Sequence, residues 1–215
     1  MYYAHTMSAY PVPAARTEIT TKAGNSTFLA VADRAATVDD ARALIADLRR
    51  RYPDATHHCF AFAVGHGATV THGSSDDGEP SGTAGRPILA VVNGSGLGDV
   101  AVVVVRYFGG AKLGTGGLVR AYTEAAQAVL AACPRMRKVT RLRLVGRAPY
   151  ALFDIVRRAA AAAGGDVGEG EFGTDVGITV VVDEESATTV VDQVSEATAG
   201  TVRLVVDGAI EEVRG

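Results

Sequence analysis

Arg106, Lys112 and Arg120 are spaced through a stretch that also holds Gly109, Gly110, Gly114, Thr115, Gly116 and Gly117. Val100-Ala101-Val102-Val103-Val104-Val105 precedes it and an apolar helical pattern follows, so the order reads strand, glycine turn, helix start. The N–H groups at a helix N-terminus point outward, glycines let an anion approach them, and Lys112 and Arg120 add full charge. Phosphate, as in RNA, is the natural ligand of such a cradle. The same residues also suit a purely structural turn in which Arg120 pairs with Glu124 one helical turn later. No Gly-Lys-Ser/Thr closes the stretch and no Gly-x-Gly-x-x-Gly lies in it, so it is neither a P-loop nor a dinucleotide fingerprint. Gly168 to Gly173 spells the latter pattern, but it opens a hairpin turn instead of a helix.

Arg106 ends the valine strand on the face of Val102 and Val104, and strand carboxyl ends gather ligand sites in open parallel sheets. A buried arginine needs an anion or an acidic partner, and Asp76, Asp77 and Glu79 are the candidates. They lie in the loop Ser74 to Pro87, which also carries Ser81, Thr83 and Arg86 and is long enough to be functional. Those carboxylates have the chemistry to hold Mg²⁺, while Asp77-Gly78 equally favours a plain turn. His57, His58 and Cys59 invite a metal reading. Neighbouring strand residues face opposite ways, however, so only His57 and Cys59 share a face, and two ligands are too few. No base is placed to activate Cys59. The expectation is therefore no metal and no cofactor, with His57 and His58 supporting the loop. Tyr107 and Phe108 suit either base stacking or core packing.

The elements that must position these residues follow from pattern. Glu18–Lys22 and Ser26–Asp33 read as a hairpin across Gly24-Asn25, and Thr37 caps a helix whose apolar stripe is Ala41, Leu44, Ile45 and Leu48. His57 to Val64 is a strand with Phe60 and Phe62 on one face, and Gly65 to Gly85 reads as polar loop. A helix starts at Arg86-Pro87, and another runs from Gly116 to Ala132. Beyond Pro134 the order is strand Val139–Gly146, helix Pro149–Ala163, strands Val167–Phe172 and Val176–Asp183, helix Glu185–Thr198 and strand Thr201–Asp207. That β-α-β-β-α-β order is the ferredoxin-like plan. The fold class is α/β (α+β), in two domains: 1–135 and 136–215.

With 215 residues and 47% hydrophobic content, one sizeable core or two small ones can be buried. Net charge is −3: residues 1–135 carry 12 Lys and Arg against 11 Asp and Glu, and residues 136–215 carry 9 against 13, matching the totals of 21 and 24. Binding of nucleic acid through bulk positive charge is thereby disfavoured, and any such binding must be local. Two cysteines make no disulfide framework, apolar runs fall short of a membrane span, and Met1–Pro13 lacks the layout of a secretory signal. A reduced, cytoplasmic location without membrane partners is expected.

Three long motifs, Thr56 to Ala61, Asp76 to Leu89 and Val105 to Tyr122, resemble in order those of the Impact/YigZ family. The resemblance covers Thr17 to Arg135, with Ala111 where a larger apolar residue is usual, and the remaining domain is similar to the small ferredoxin-like domain of bacterial members. It implies, for the first domain, a fold like the second domain of a small-subunit ribosomal protein, the fourth domain of elongation factor G and RNase PH. For the second it implies a fold like that factor's last domain. It supplies no settled catalytic activity. Its eukaryotic members regulate translation through an activator of a stress kinase, a role not carried over to a two-domain bacterial-type chain. What it implies here is RNA or ribosome association. Two other readings stand beside it: an enzyme acting on a small phosphorylated or nucleotide substrate in the same cleft, and a protein-interaction module favoured by the acidic second domain.

Overall fold

In the computed structural model, residues 9–168, 171 and 173–214 are described. The chain divides into two compact units after Arg137. The first holds β1 (Ala9–Pro13), β2 (Thr17–Ala23), β3 (Ser26–Arg34), α1 (Val38–Arg51), β4 (His57–Val64), β5 (Thr71–Ser75), α2 (Gly85–Gly94), β6 (Val100–Tyr107) and α3 (Gly114–Ala132). Thr37 caps α1 as its sequence predicts: Thr37 Oγ1 accepts the Asp40 N–H while Asp40 accepts the Thr37 N–H.

Five strands form one sheet in the order β2-β3-β6-β4-β5, and every adjacent pair is antiparallel. Arg106 therefore lies in an antiparallel sheet, and the parallel-sheet rule invoked for it does not apply. Central β6 is covered on both faces, which is why valine suits every position. Val100, Val102 and Val104 pack with Ile88, Val92, Leu118 and Tyr122 of α2 and α3, while Val103 and Val105 pack with Leu44, Ile45 and Leu48 of α1. Each fully buried valine contributes on the order of 1.5–3 kcal/mol by removing apolar area from water.

Strand β5 lies inside the stretch read as loop. Its sequence Thr71-His72-Gly73-Ser74-Ser75 has no apolar alternation because it is a largely exposed edge strand. Gly73 opposes Phe62, and a Cβ there would come within 2.2 Å of the Phe62 ring. The glycine thus makes room for the aromatic side chain.

The second unit contains the greater part of β7 (Arg135–Ala148), then α4 (Tyr150–Ala162), β8 (Asp166–Val167), β9 (Val176–Asp183), α5 (Ala187–Ala197) and β10 (Val205–Arg214). β7 pairs with β9 and β10, and β9 with β8, giving the ferredoxin-like β-α-β-β-α-β order. Its core joins Leu144, Val156, Ile178, Val180, Val190 and Val194. Buried Arg141 is ringed by Asp166, Asp183 and Glu212, a structural use for part of this unit's negative charge.

Several strand boundaries differ from expectation: β7 extends beyond Val139–Gly146 at both ends, and β10 runs on past Asp207 to Arg214. β8 is only Asp166–Val167, and of the expected strand up to Phe172, Glu169, Gly170 and Phe172 lie outside the described residues. The last strand begins at Val205, because Thr198 Oγ1 takes the Val202 N–H at 3.2 Å and holds that segment against α5. Among the described residues no helix is long and apolar enough to cross a membrane.

Candidate functional site

Arg106 leaves β6 toward α3 and meets the loop that connects β5 to α2. Its Nη1 donates to Glu79 Oε1 at 2.5 Å, and its Nη2 donates to Ser26 Oγ at 3.1 Å. Both ions are buried, Arg106 at 4% and Glu79 at 8% exposure. Tyr122 of α3 donates its hydroxyl to the same Glu79 oxygen at 2.7 Å. Cys59 Sγ lies 3.3 Å from the Tyr122 hydroxyl and 3.0 Å from the Asp76 carbonyl, and His57 Nε2 lies 3.8 Å from Glu79 Oε1. The guanidinium stands 5.4 Å from the Phe28 ring centre and 5.5 Å from that of Phe108. An arginine removed from water is in this way compensated by a carboxylate, a hydroxyl and two aromatic rings.

Burial pushes the Cys59 thiol up to about 12 and raises the Tyr122 phenol too. At neutral pH neither is ionised, so Cys59 supplies no thiolate nucleophile.

The remaining loop residues are also engaged. Asp76 accepts the backbone N–H groups of Gly82, Ala84 and Gly85 at 2.8, 3.0 and 2.8 Å. Partial burial works against its charged form, but these three donors outweigh it and hold the carboxyl below its ordinary range. Asp77 Oδ1 takes Arg49 Nη2 at 2.6 Å and its Oδ2 takes the His58 N–H at 2.7 Å. His57 Nδ1 is 2.8 Å from the Asp77 carbonyl, and His58 Nε2 is 3.1 Å from the Tyr52 carbonyl. Burial, opposed by Asp77, holds the His58 ring below the ordinary histidine range. Thr83 Oγ1 donates to the Pro80 carbonyl at 2.6 Å, and Ser81 is exposed. The three carboxylates thus turn to three different partners.

The other cations are placed differently from Arg106. Arg86, Lys112 and Arg120 are exposed, and among the described residues none forms an ion pair; Arg120 does not reach Glu124. Both α2 and α3 lack acidic residues in their first turns. Their N-termini lie at one end of the unit, because the Arg106–Glu79 pair ties together the connections leading into them. At the other end Arg135 Nη1 reaches the Ser95 carbonyl beyond α2 at 3.4 Å. The two N-termini differ in occupancy: the Asp76 carboxylate fills that of α2, whereas among the described residues no side chain caps α3.

The glycines of the turn have different causes. Gly109 is required by packing, since a Cβ there would come within 1.9 Å of the Asn25 backbone, and its N–H reaches Ser26 Oγ at 3.3 Å. Gly110 and Gly114 have positive φ and face open space, and Thr115 beside Gly114 is exposed. Gly117 has only the Leu113 side chain nearby, and Gly116 has neither a positive φ nor a neighbour within 4 Å of an added Cβ. Among the described residues nothing accounts for a glycine at 116.

Sequence reasoning missed Arg49, Ser26 and Tyr122 as members of this network. Tyr122 lies on the buried stripe of its helix, and a buried phenol needs a hydrogen-bond partner, so its type and position together were the available signal. Arg49 and Ser26 carried no signal, because their partners lie 28 and 80 residues away. A groove of about 680 Å³ between α2 and α3 is lined by Pro87, Val91, Val119, Thr123, Leu130 and others, and Asp76, Asp77 and Glu79 are not among them.

A five-stranded antiparallel sheet with a buried Arg–Glu–Tyr knot, followed by a ferredoxin-like unit, defines a two-domain α+β protein. Residues 24–130 match the family model described as Impact N-terminal domain, and residues 147–201 match one described as Domain of unknown function (DUF1949). An IMPACT family member of Haemophilus influenzae is 43% identical over 125 residues, covering 58% of this chain and 61% of that protein. IMPACT family member YigZ of Escherichia coli is 44% identical over 117 residues, covering 54% and 57%. The aligned region thus spans about three-fifths of each relative's length. A solved structure described only as that of a hypothetical protein is 30% identical, with a TM-score of 0.67, and covers 93% of this chain and 98% of that one. The chain belongs to the IMPACT family.

Proposed function

We propose that the protein is a non-enzymatic, RNA- or ribosome-associated regulator of translation, whose first unit grips phosphates at the N-terminus of α3. The observation that carries this reading is the contrast between the two neighbouring helix N-termini. Asp76 already supplies the anion for α2, while among the described residues α3 has no capping side chain and is flanked by exposed Lys112 and Arg120 without ion-pair partners, with Arg86 at the start of α2. A phosphate there would gain backbone donors and two full charges without displacing an internal partner. Arg106 takes no direct part. Its charge is spent on Glu79, and its role is to hold the turn in place.

Phosphate contacts release counterions, so binding weakens as salt rises. Co-sedimentation with ribosomes and binding to labelled single-stranded RNA across a salt series test the reading. Lys112→Glu with Arg120→Glu should weaken both by about tenfold or more and flatten the salt dependence. Both side chains are exposed, so the melting temperature should stay near that of the wild type. Equal binding by wild type and variant removes this function.

A further inference from the structure

Phe108 is the exposed phenylalanine among those described, at 47%, although it directly follows the most deeply buried strand of the chain. Phe28 is fully buried, Phe62 nearly so, and Phe60 and Phe153 are half-buried. An exposed aromatic ring offers a π-face on which a base can stack.

Its surroundings fix its position. The ring lies 5.5 Å from the Arg106 guanidinium, whose Nη atoms donate to Glu79 and Ser26. The Phe108 N–H is anchored to Thr56 Oγ1 at 3.1 Å, and the next residue, Gly109, is wedged against the Asn25 backbone. Among the described residues Arg106 Nε is buried without a hydrogen-bond partner. The ring is therefore a preordered platform backed by a cation, and a ligand that stacks on it loses little entropy in ordering it. Beyond it the chain runs through Gly110, which faces open space, to exposed Lys112 and the α3 N-terminus.

We infer that Phe108 is a stacking platform for an unpaired nucleobase, placed beside the phosphate cradle, and that the ligand is single-stranded RNA. This rests on the phosphate-binding reading and narrows it. In a duplex both faces of each base are covered by neighbours, whereas an unstacked base offers a π-face to an aromatic side chain. A duplex keeps the phosphates and withholds the base, so the two polymers separate the two contributions.

The chain contains no tryptophan, so Phe108→Trp installs a single indole reporter at the platform. The probes are a short oligoadenylate, an abasic phosphodiester of equal length and an RNA duplex. Oligoadenylate should bind Phe108→Trp at least as tightly as the wild type and quench its fluorescence, while the abasic polymer leaves the fluorescence unchanged. Phe108→Leu keeps apolar bulk but removes the π-face. It should lose roughly five- to a hundredfold in oligoadenylate affinity with an unchanged salt dependence, and bind the duplex as the wild type does. Single-strand binding by Phe108→Leu equal to wild type, or an equal loss on duplex and single strand, overturns the platform. If the Lys112/Arg120 charge reversal weakens binding while Phe108→Leu does not, the cradle stands and the platform falls. If the wild type binds none of the polymers, both fall.

Discussion

Glu79 accepts from two buried donors at one oxygen, Arg106 Nη1 and the Tyr122 hydroxyl. Truncating it leaves a cation in the core with no counter-charge. Glu79→Ala should therefore destabilise the protein by about 3–5 kcal/mol, read from denaturant titration; a loss below about 1 kcal/mol would mean that water or Ser26 compensates Arg106. What the sequence revealed at this scale was a requirement: an arginine at the end of an all-apolar strand needs an anion, and three acids stood in reach. Choosing among them needed the loop geometry. Asp76 turns to backbone N–H groups and Asp77 to Arg49, which leaves Glu79.

At the scale of elements, helix α2 begins on a carboxylate that comes from nine residues upstream. Asp76 holds Gly82, Ala84 and Gly85 and so joins the loop to the helix start. Its folded-state pKa is depressed, so the unfolded chain binds more protons in the acid range and stability falls as the pH drops through that range. Asp76→Asn should cost about 1–2 kcal/mol at neutral pH. Its stability should also fall less steeply than the wild type's below about pH 4, checked by urea unfolding at several pH values. Parallel acid limbs for the two proteins would refute the assignment. Elements with strong period were legible in the sequence: α1 with its Thr37 cap, and β4 and β6 from their apolar content. β5 was not, because a polar edge strand with Gly73 under Phe62 leaves no alternation to read, and the start of β10 was hidden by a single side-chain hydrogen bond from Thr198.

For the whole molecule, a net charge of −3 means that the proposed phosphate binding must rest on a local group of cations. The proposed cradle draws on the exposed Arg86, Lys112 and Arg120, whereas Arg49 is paired with Asp77 and Arg141 with three carboxylates. The two-unit order and the family were legible from motif order alone, whereas which cations remained free was not, since that depends on contacts between residues far apart in sequence. The central strand carries one more consequence. With valine outward on both faces, β6 would lose little apolar burial if it slid by one residue between β3 and β4, because either face of the strand suits either layer. Arg106 is the residue that can tell the alignments apart, since a one-residue slip would carry its charge from Glu79 to the apolar layer under α1. Replacing the pair by Arg106→Met and Glu79→Leu should therefore keep much of the stability but loosen the uniqueness of the fold, seen as doubled amide resonances for β3, β4 and β6. A single sharp set would mean that the turns alone align the sheet. The salt bridge, on this view, is an alignment pin: it adds less to how strongly the sheet holds than to which of several nearly equal sheets is built.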